Sequence, residues 1–172
     1  TKPESLTFII DNPEGTATGT WTSMTDTGGW PESASQYVYS LNMQSATTAF
    51  FTWTPNIPVT GKYNVYCWYK AGPDRTTSAR YTITHANGQM AVAIINQATS
   101  GGQWVPIAIN KQFTKGTSGY ITLTNKTGET DGARKVIADA IKFEYSEIDN
   151  EPPTVPENLV AIAASTSSID LT

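Results

Sequence analysis

Apolar and polar residues alternate along most of this chain with a period of two, the spacing of a strand that buries one face. In residues 63–70 one face carries Tyr63, Val65, Cys67 and Tyr69, and the other Asn64, Tyr66, Trp68 and Lys70. The first set predicts a core face, so Tyr66 and Trp68 are expected on an outer one. The same parity turns Val105, Ile107 and Ile109 inward with Trp104 and Asn110 outward, and places Phe51 and Trp53 with Ala49 in the core. Tyr81 and Ile83 carry His85 to the inner side of their strand. No long window has helical spacing. Runs of β-branched and aromatic residues predict strands at 6–11, 16–23, 36–41, 47–54, 63–70, 79–85, 89–96, 104–110, 120–125 and 136–145. Turn residues separate them, among them Gly28-Gly29-Trp30-Pro31, Ala71-Gly72-Pro73-Asp74 and Ser100-Gly101-Gly102. Asn87-Gly88, between two alternating runs, predicts a two-residue type I′ hairpin with positive φ at both positions. About ten short strands joined this way predict an all-β sandwich, jelly roll or barrel.

The pattern changes after Tyr145. Residues 146–156 are acidic, Pro-rich and without alternation, and read as an extended linker. Beyond it, Pro153-Thr154-Val155-Pro156, a strand near 159–163 and another at 167–171 resemble the start of a fibronectin type III domain. The expected organisation is a β-sandwich over 1–145, a linker over 146–156 and a truncated second domain over 157–172. Two strands cannot bury a core, so this tail is expected to be disordered or docked on the main domain.

Composition narrows the function. Only 15% of residues are charged, and the surface is expected to be wetted by hydroxyls and amides. A net charge of −4 builds no positive field for nucleic acid. No apolar run approaches a membrane span and no leader pattern opens the chain, which reads as a mature or excised fragment. Cys67 is the sole cysteine, so no internal disulfide can form. A secreted or cell-surface bacterial protein fits this set of features.

Candidate chemistry is sparse. One His, one Cys and no dense carboxylate cluster leave no catalytic residue to name. Cys67 and His85 share the parity of apolar neighbours and read as core residues, and Asp74, Glu129 and Asp131 read as solvated loop carboxylates. Asp139 stands out, because it shares its parity with Ile137, Ile141, Phe143 and Tyr145. A buried carboxylate needs hydrogen bonds, a cationic partner or a metal. Two readings follow: a structural Ca²⁺ held by Asp11, Asp139 and loop carbonyls, or backbone N–H groups, Arg75 or Arg80 as partners of Asp139. Sugar recognition needs flat aromatic faces fringed by amides and charges. Trp30 in its glycine turn, Trp68 by parity and Trp104 after Gly101-Gly102-Gln103 are the best candidates, with Tyr66, Asn64 and Arg75 around them.

Several blocks carry a family resemblance: Ile9-Ile10-Asp11-Asn12, Gly19-Thr20-Trp21-Thr22, residues 71–85, 92–97, Gly101 to Val105, and 136–143. In that order they resemble the golvesin C-terminal and xanthan-lyase-type carbohydrate-binding-like domain, over roughly residues 5–145. The resemblance implies a jelly-roll-like β-sandwich appended to secreted bacterial enzymes: polysaccharide lyases, glycosidases, peptidases and cell-wall amidases. Trp68 departs from it, since a polar or basic residue is usual there. The expected function is therefore a non-catalytic module binding a polysaccharide or cell-wall glycan. The competing expectation is a spacer that packs on neighbouring domains of the same chain.

Overall fold

The computed structural model describes residues 6–24, 28–31, 35–40, 43–45 and 48–146, and the backbone of 161–165 and 168–171. Between residues 6 and 146 the described residues form twelve strands: β1 (Thr7–Ile10), β2 (Thr16–Thr18), β3 (Thr22–Ser23), β4 (Gln36–Tyr39), β5 (Phe50–Trp53), β6 (Gly61–Cys67), β7 (Ala79–Thr84), β8 (Met90–Ile95), β9 (Val105–Phe113), β10 (Tyr120–Thr124), β11 (Lys135–Ala138) and β12 (Ile141–Tyr145). They form antiparallel sheets ordered β1-β12-β6-β9, β2-β5-β10-β7-β8 and β11-β4-β3. Two further strands, Ala161–Ser165 and Ser168–Leu171, pair with each other in the C-terminal segment. Most of the expected linker, 147–156, lies outside the described residues.

The first two sheets face each other across one core. The alternation read from residues 63–70 holds: Tyr63, Val65, Cys67 and Tyr69 are at most 1% exposed. They meet Phe51, Trp53, Tyr81, Ile83, Ile121 and Leu123 from the opposite sheet, and Tyr81 hydrogen-bonds Cys67 across the gap. Burial of a large apolar side chain stabilises by about 1.5–3 kcal/mol, so this layer dominates the stability of the fold. Among the described residues Met90, Val92 and Ile94 break the usual pattern, standing 50–71% exposed on the outer side of edge strand β8.

Four expectations need correction. Residues 16–23 are not one strand: Gly19 turns at φ +84°, and the chain passes from the five-stranded sheet (β2) into the small one (β3). Residues 136–145 likewise divide at Asp139-Ala140, β11 pairing with β4 and β12 with β6. Ile109 faces solvent instead of the core. Between Tyr63↔Lys111 and Val65↔Ala108 the β6–β9 register shifts, Asn110 takes φ +52°, and Ala108 fills the inward place. At the tip of the β7–β8 hairpin Asn87 and Gly88 have the positive φ values expected, 60° and 69°. The hairpin nevertheless closes at His85 and Gln89, around three residues instead of two.

Candidate functional site

Three tryptophans that lie far apart in sequence converge at one edge of the sandwich. Trp30 comes from the β3–β4 connection, Trp68 directly follows β6, and Trp104 directly precedes β9. Their ring centroids are 5.1 Å (Trp30–Trp68), 4.9 Å (Trp30–Trp104) and 5.3 Å (Trp68–Trp104) apart, at steep interplanar angles. All three are half-buried, which leaves part of each indole open. Gly28, Gly29, Trp30, Pro31, Trp68 and Gly102 line an apolar groove of about 480 Å³ beside them.

The break between β11 and β12 anchors this cluster. Asp139 Oδ1 accepts the Trp30 backbone N–H (3.1 Å), and the Ala140 carbonyl accepts the Trp68 N–H (2.8 Å). The Asp139 carbonyl also takes the indole N–H of core residue Trp53 (3.0 Å). On the far side Gly102 N–H donates to the Tyr69 carbonyl (2.9 Å). Gly101 lies so close to the 69–71 backbone that a Cβ there would stand 2.4 Å from Ala71 N. That glycine lets the 98–103 loop press onto the end of β6 and bring Trp104 to Trp68.

Asp139 is 1% exposed. Burial, only partly offset by the Trp30 N–H and reinforced by the Asp11 carboxylate, raises its pKa to about 7. A backbone N–H partner, that of Trp30, is present, and neither arginine joins it. Arg75 pairs with Asp74, and Arg80 lies opposite Thr124 in the five-stranded sheet. Asp139 Oδ2 and Asn12 Oδ1 are buried and make no hydrogen bond among the described residues. The Asp11 carboxylate acts electrostatically on Asp139 and caps the Asn12–Glu14 turn, accepting the Asn12 N–H (2.8 Å). No group of three or more His, Cys, Asp or Glu side chains among the described residues could hold a metal ion.

The other anticipated residues divide. Tyr66 is on the outer face, but Lys142 Nζ sits 4.2 Å from its ring centre and its hydroxyl donates to Glu144 Oε2 (2.9 Å). Lys142 also lies 5.5 Å from the Trp104 ring, so it edges the cluster. The Asn64 amide oxygen is engaged with the Asn110 N–H (3.0 Å) and secures the β9 bulge. Arg75 does not join the tryptophans; it lines a different cavity. Lys142 and Glu144 escaped the sequence reading because only the β12–β6 register, Lys142 opposite Tyr66, brings them to the aromatics.

Cys67 and His85 are core residues as expected. Burial pushes the Cys67 thiol up to about 12, far from a nucleophile's range, and burial together with Lys111 pulls the His85 pKa down. Native chain is therefore expected to leave Cys67 unreacted with a thiol-specific disulfide reagent at pH 8. One equivalent should react in denaturant; rapid native labelling would contradict the packing described.

The family profile of the golvesin C-terminal domain matches residues 8–145. The chain belongs to the golvesin C-terminal domain family. It is 34% identical over 147 residues to a xanthan lyase of Bacillus sp. (strain GL1), covering 83% of this chain and 15% of the lyase. A solved Paenibacillus xanthan lyase superposes with a TM-score of 0.67 at 31% identity, covering 82% of this chain and 13% of that one. This golvesin-family chain thus spans a small fraction of the lyases it resembles. A family 35 carbohydrate-binding module from Clostridium thermocellum matches 80% of this chain and 97% of its own, with a TM-score of 0.52 at 16% identity. At that identity the likeness speaks for the fold alone: a jelly-roll-like β-sandwich, one of the architectures open to the strand pattern and the one the family resemblance implies.

Proposed function

We propose that this golvesin-family chain is a non-catalytic carbohydrate-binding module of a secreted bacterial enzyme acting on a polysaccharide or cell-wall glycan. The observation that carries the reading is the clustering of Trp30, Trp68 and Trp104 beside an apolar groove that Trp30 and Trp68 line. Aromatic faces attract the polarised C–H groups of a pyranose ring, and Lys142 at the cluster's edge supplies a donor for its hydroxyls. Likeness to xanthan lyases, and in fold to a module named for carbohydrate binding, supports the same reading. Affinity electrophoresis tests it. The chain should be retarded in gels containing at least one of a panel of neutral and acidic polysaccharides and peptidoglycan fragments. Uniform mobility across that panel would overturn the reading.

A structural calcium ion belongs to the same proposal. Asp11 and Asp139 Oδ2 offer the carboxylate oxygens a Ca²⁺ takes, with loop carbonyls completing the shell. Calcium added to chelator-treated chain is expected to raise the Tm, and Asp139→Asn to remove that response. An unchanged Tm at millimolar Ca²⁺ would speak for the backbone-bonded carboxylate alone.

A second reading, a spacer that packs on neighbouring domains, is favoured by the exposed apolar side of β8. The two readings separate in the electrophoresis: Val92→Lys should leave glycan retardation intact, whereas Trp68→Ala should remove it.

A further inference from the structure

A second cavity, of about 510 Å³, lies against the small sheet and has the opposite character to the tryptophan groove. Thr22, Ser23, Tyr37, Asp74, Arg75 and Lys135 line it. Its volume is within the range of small-ligand pockets, about 300–1,000 Å³. The walls are held by backbone. Residues 72–76 run beside β11 with Arg75 bridged parallel to Lys135. Lys135 N–H donates to the Asp74 carbonyl (2.9 Å) and Thr76 N–H to the Lys135 carbonyl (2.8 Å). Arg134 clamps the turn from outside, donating from Nη1 to the carbonyls of Pro73 (3.0 Å) and Arg75 (3.2 Å). Tyr37 faces this turn from β4, where it pairs with Thr22 of β3.

The charges inside do not balance. Among the described residues Asp74 is the one carboxylate lining the cavity, and it is already engaged by Arg75 Nη1 and by Lys135 Nζ (3.0 Å). Among these described lining residues, two cations around one anion leave an excess of one positive charge. Arg75 is 6% exposed, and among the described residues its Nε–H has no hydrogen-bond partner. A buried guanidinium that is only partly satisfied is costly, and an anion arriving beside it lowers that cost. Lys135 Nζ also sits 4.9 Å from the Tyr37 ring centre, so cation and flat ring border the same space.

We propose that this cavity is a second ligand site, separate from the tryptophan groove, that takes the carboxylate of an acidic sugar such as a uronate. Arg75 and Lys135 hold the carboxylate, Tyr37 meets the ring, and the Thr22 and Ser23 hydroxyls reach its hydroxyls. A carboxylate is favoured because one negative charge neutralises the pocket, whereas a phosphate dianion would leave surplus charge next to Asp74. Its planar pair of oxygens also matches the donor edge of a guanidinium. The sugar part of the proposal rests on the glycan-binding reading; the carboxylate part rests on the cavity's own charge.

Titration calorimetry with oligogalacturonate, and with the same oligomer methyl-esterified, tests this on the whole chain. Lys135→Gln is the informative variant, because its side chain is 27% exposed and its loss should leave the fold intact, as a thermal melt would verify. The acid oligomer is expected to bind at least tenfold more tightly than the ester, the scale of one charge-assisted hydrogen bond. Lys135→Gln should erase that preference without weakening the ester, and added salt should weaken only the acid form. Equal affinity for acid and ester, no binding of the acid form, or an unaltered preference in Lys135→Gln would overturn the proposal. Trp68→Ala distinguishes the readings. If Trp68→Ala abolishes binding of both oligomers while Lys135→Gln leaves the acid preference unaltered, the tryptophan groove stands and this site falls; loss of the preference in Lys135→Gln with unchanged binding in Trp68→Ala keeps this site and removes the groove.

Discussion

Replacing Asp139 with asparagine is expected to stabilise the metal-free chain at pH 9 by about 4 kcal/mol and to change little at pH 4. The carboxyl titrates near 7 in the folded chain against 3.8 when unconstrained, chiefly because burial opposes its charge. Below about pH 3.8 both states hold the proton and folding loses nothing. Between 3.8 and 7 the folded state holds more protons than the unfolded one, so stability falls as pH rises. Above 7 the whole cost of a buried, poorly compensated charge is present. Asparagine keeps an oxygen for the Trp30 N–H (3.1 Å in the native contact) and removes the charge. Urea denaturation with chelator present, at pH 4 and 9, measures this. Equal effects at the two pH values, or destabilisation at pH 9, would contradict the described surroundings of Asp139.

Trp68→Ala carries the second large effect, a loss of about 2 kcal/mol of glycan affinity, or roughly thirtyfold, as expected of a central aromatic anchor. Trp68 touches both other indoles of the cluster and lines the groove. Its removal takes away one wall and releases Trp30 and Trp104 from their packing. Trp21→Ala makes a control of equal size. The Trp21 indole is tied to the Thr18 and Phe50 carbonyls (3.2 and 3.1 Å) and packs on Phe51, outside the groove. Calorimetry with a retarding glycan should show the thirtyfold loss in the first variant and not in the second.

Much of the fold was legible because most strands bury one face. A period of two needs no knowledge of partners, so Tyr63, Val65, Cys67, Phe51 and Trp53 could be assigned to the core from their spacing. The errors fall where something non-local overrides that period. At Ile109 a bulge inserted a residue, held by the Asn64 side chain, which accepts the Asn110 N–H across 46 positions. At Asp139 an apparently continuous strand changes sheets, because the Asp139 carbonyl and side chain are taken by Trp53 and Trp30. The sequence did mark Asp139 as anomalous, but not that its contacts aim two tryptophans.

The site was legible in its parts and not in its assembly. Parity and turn chemistry picked out Trp30, Trp68 and Trp104 one at a time, and only the loops bring them together. Arg75 belongs by residue type to the charged fringe that a sugar platform needs, but type does not give position. The bridge to Lys135 sends it to a different cavity. Cross-strand neighbours such as Lys142 depend on register, which no single strand encodes.

The most direct measurement follows the five indole N–H resonances by nuclear magnetic resonance while a retarding glycan is added. The account predicts that Trp30, Trp68 and Trp104 shift in a saturable way, with Trp21 and the fully buried Trp53 nearly still. Saturable binding that leaves those three unmoved would contradict it.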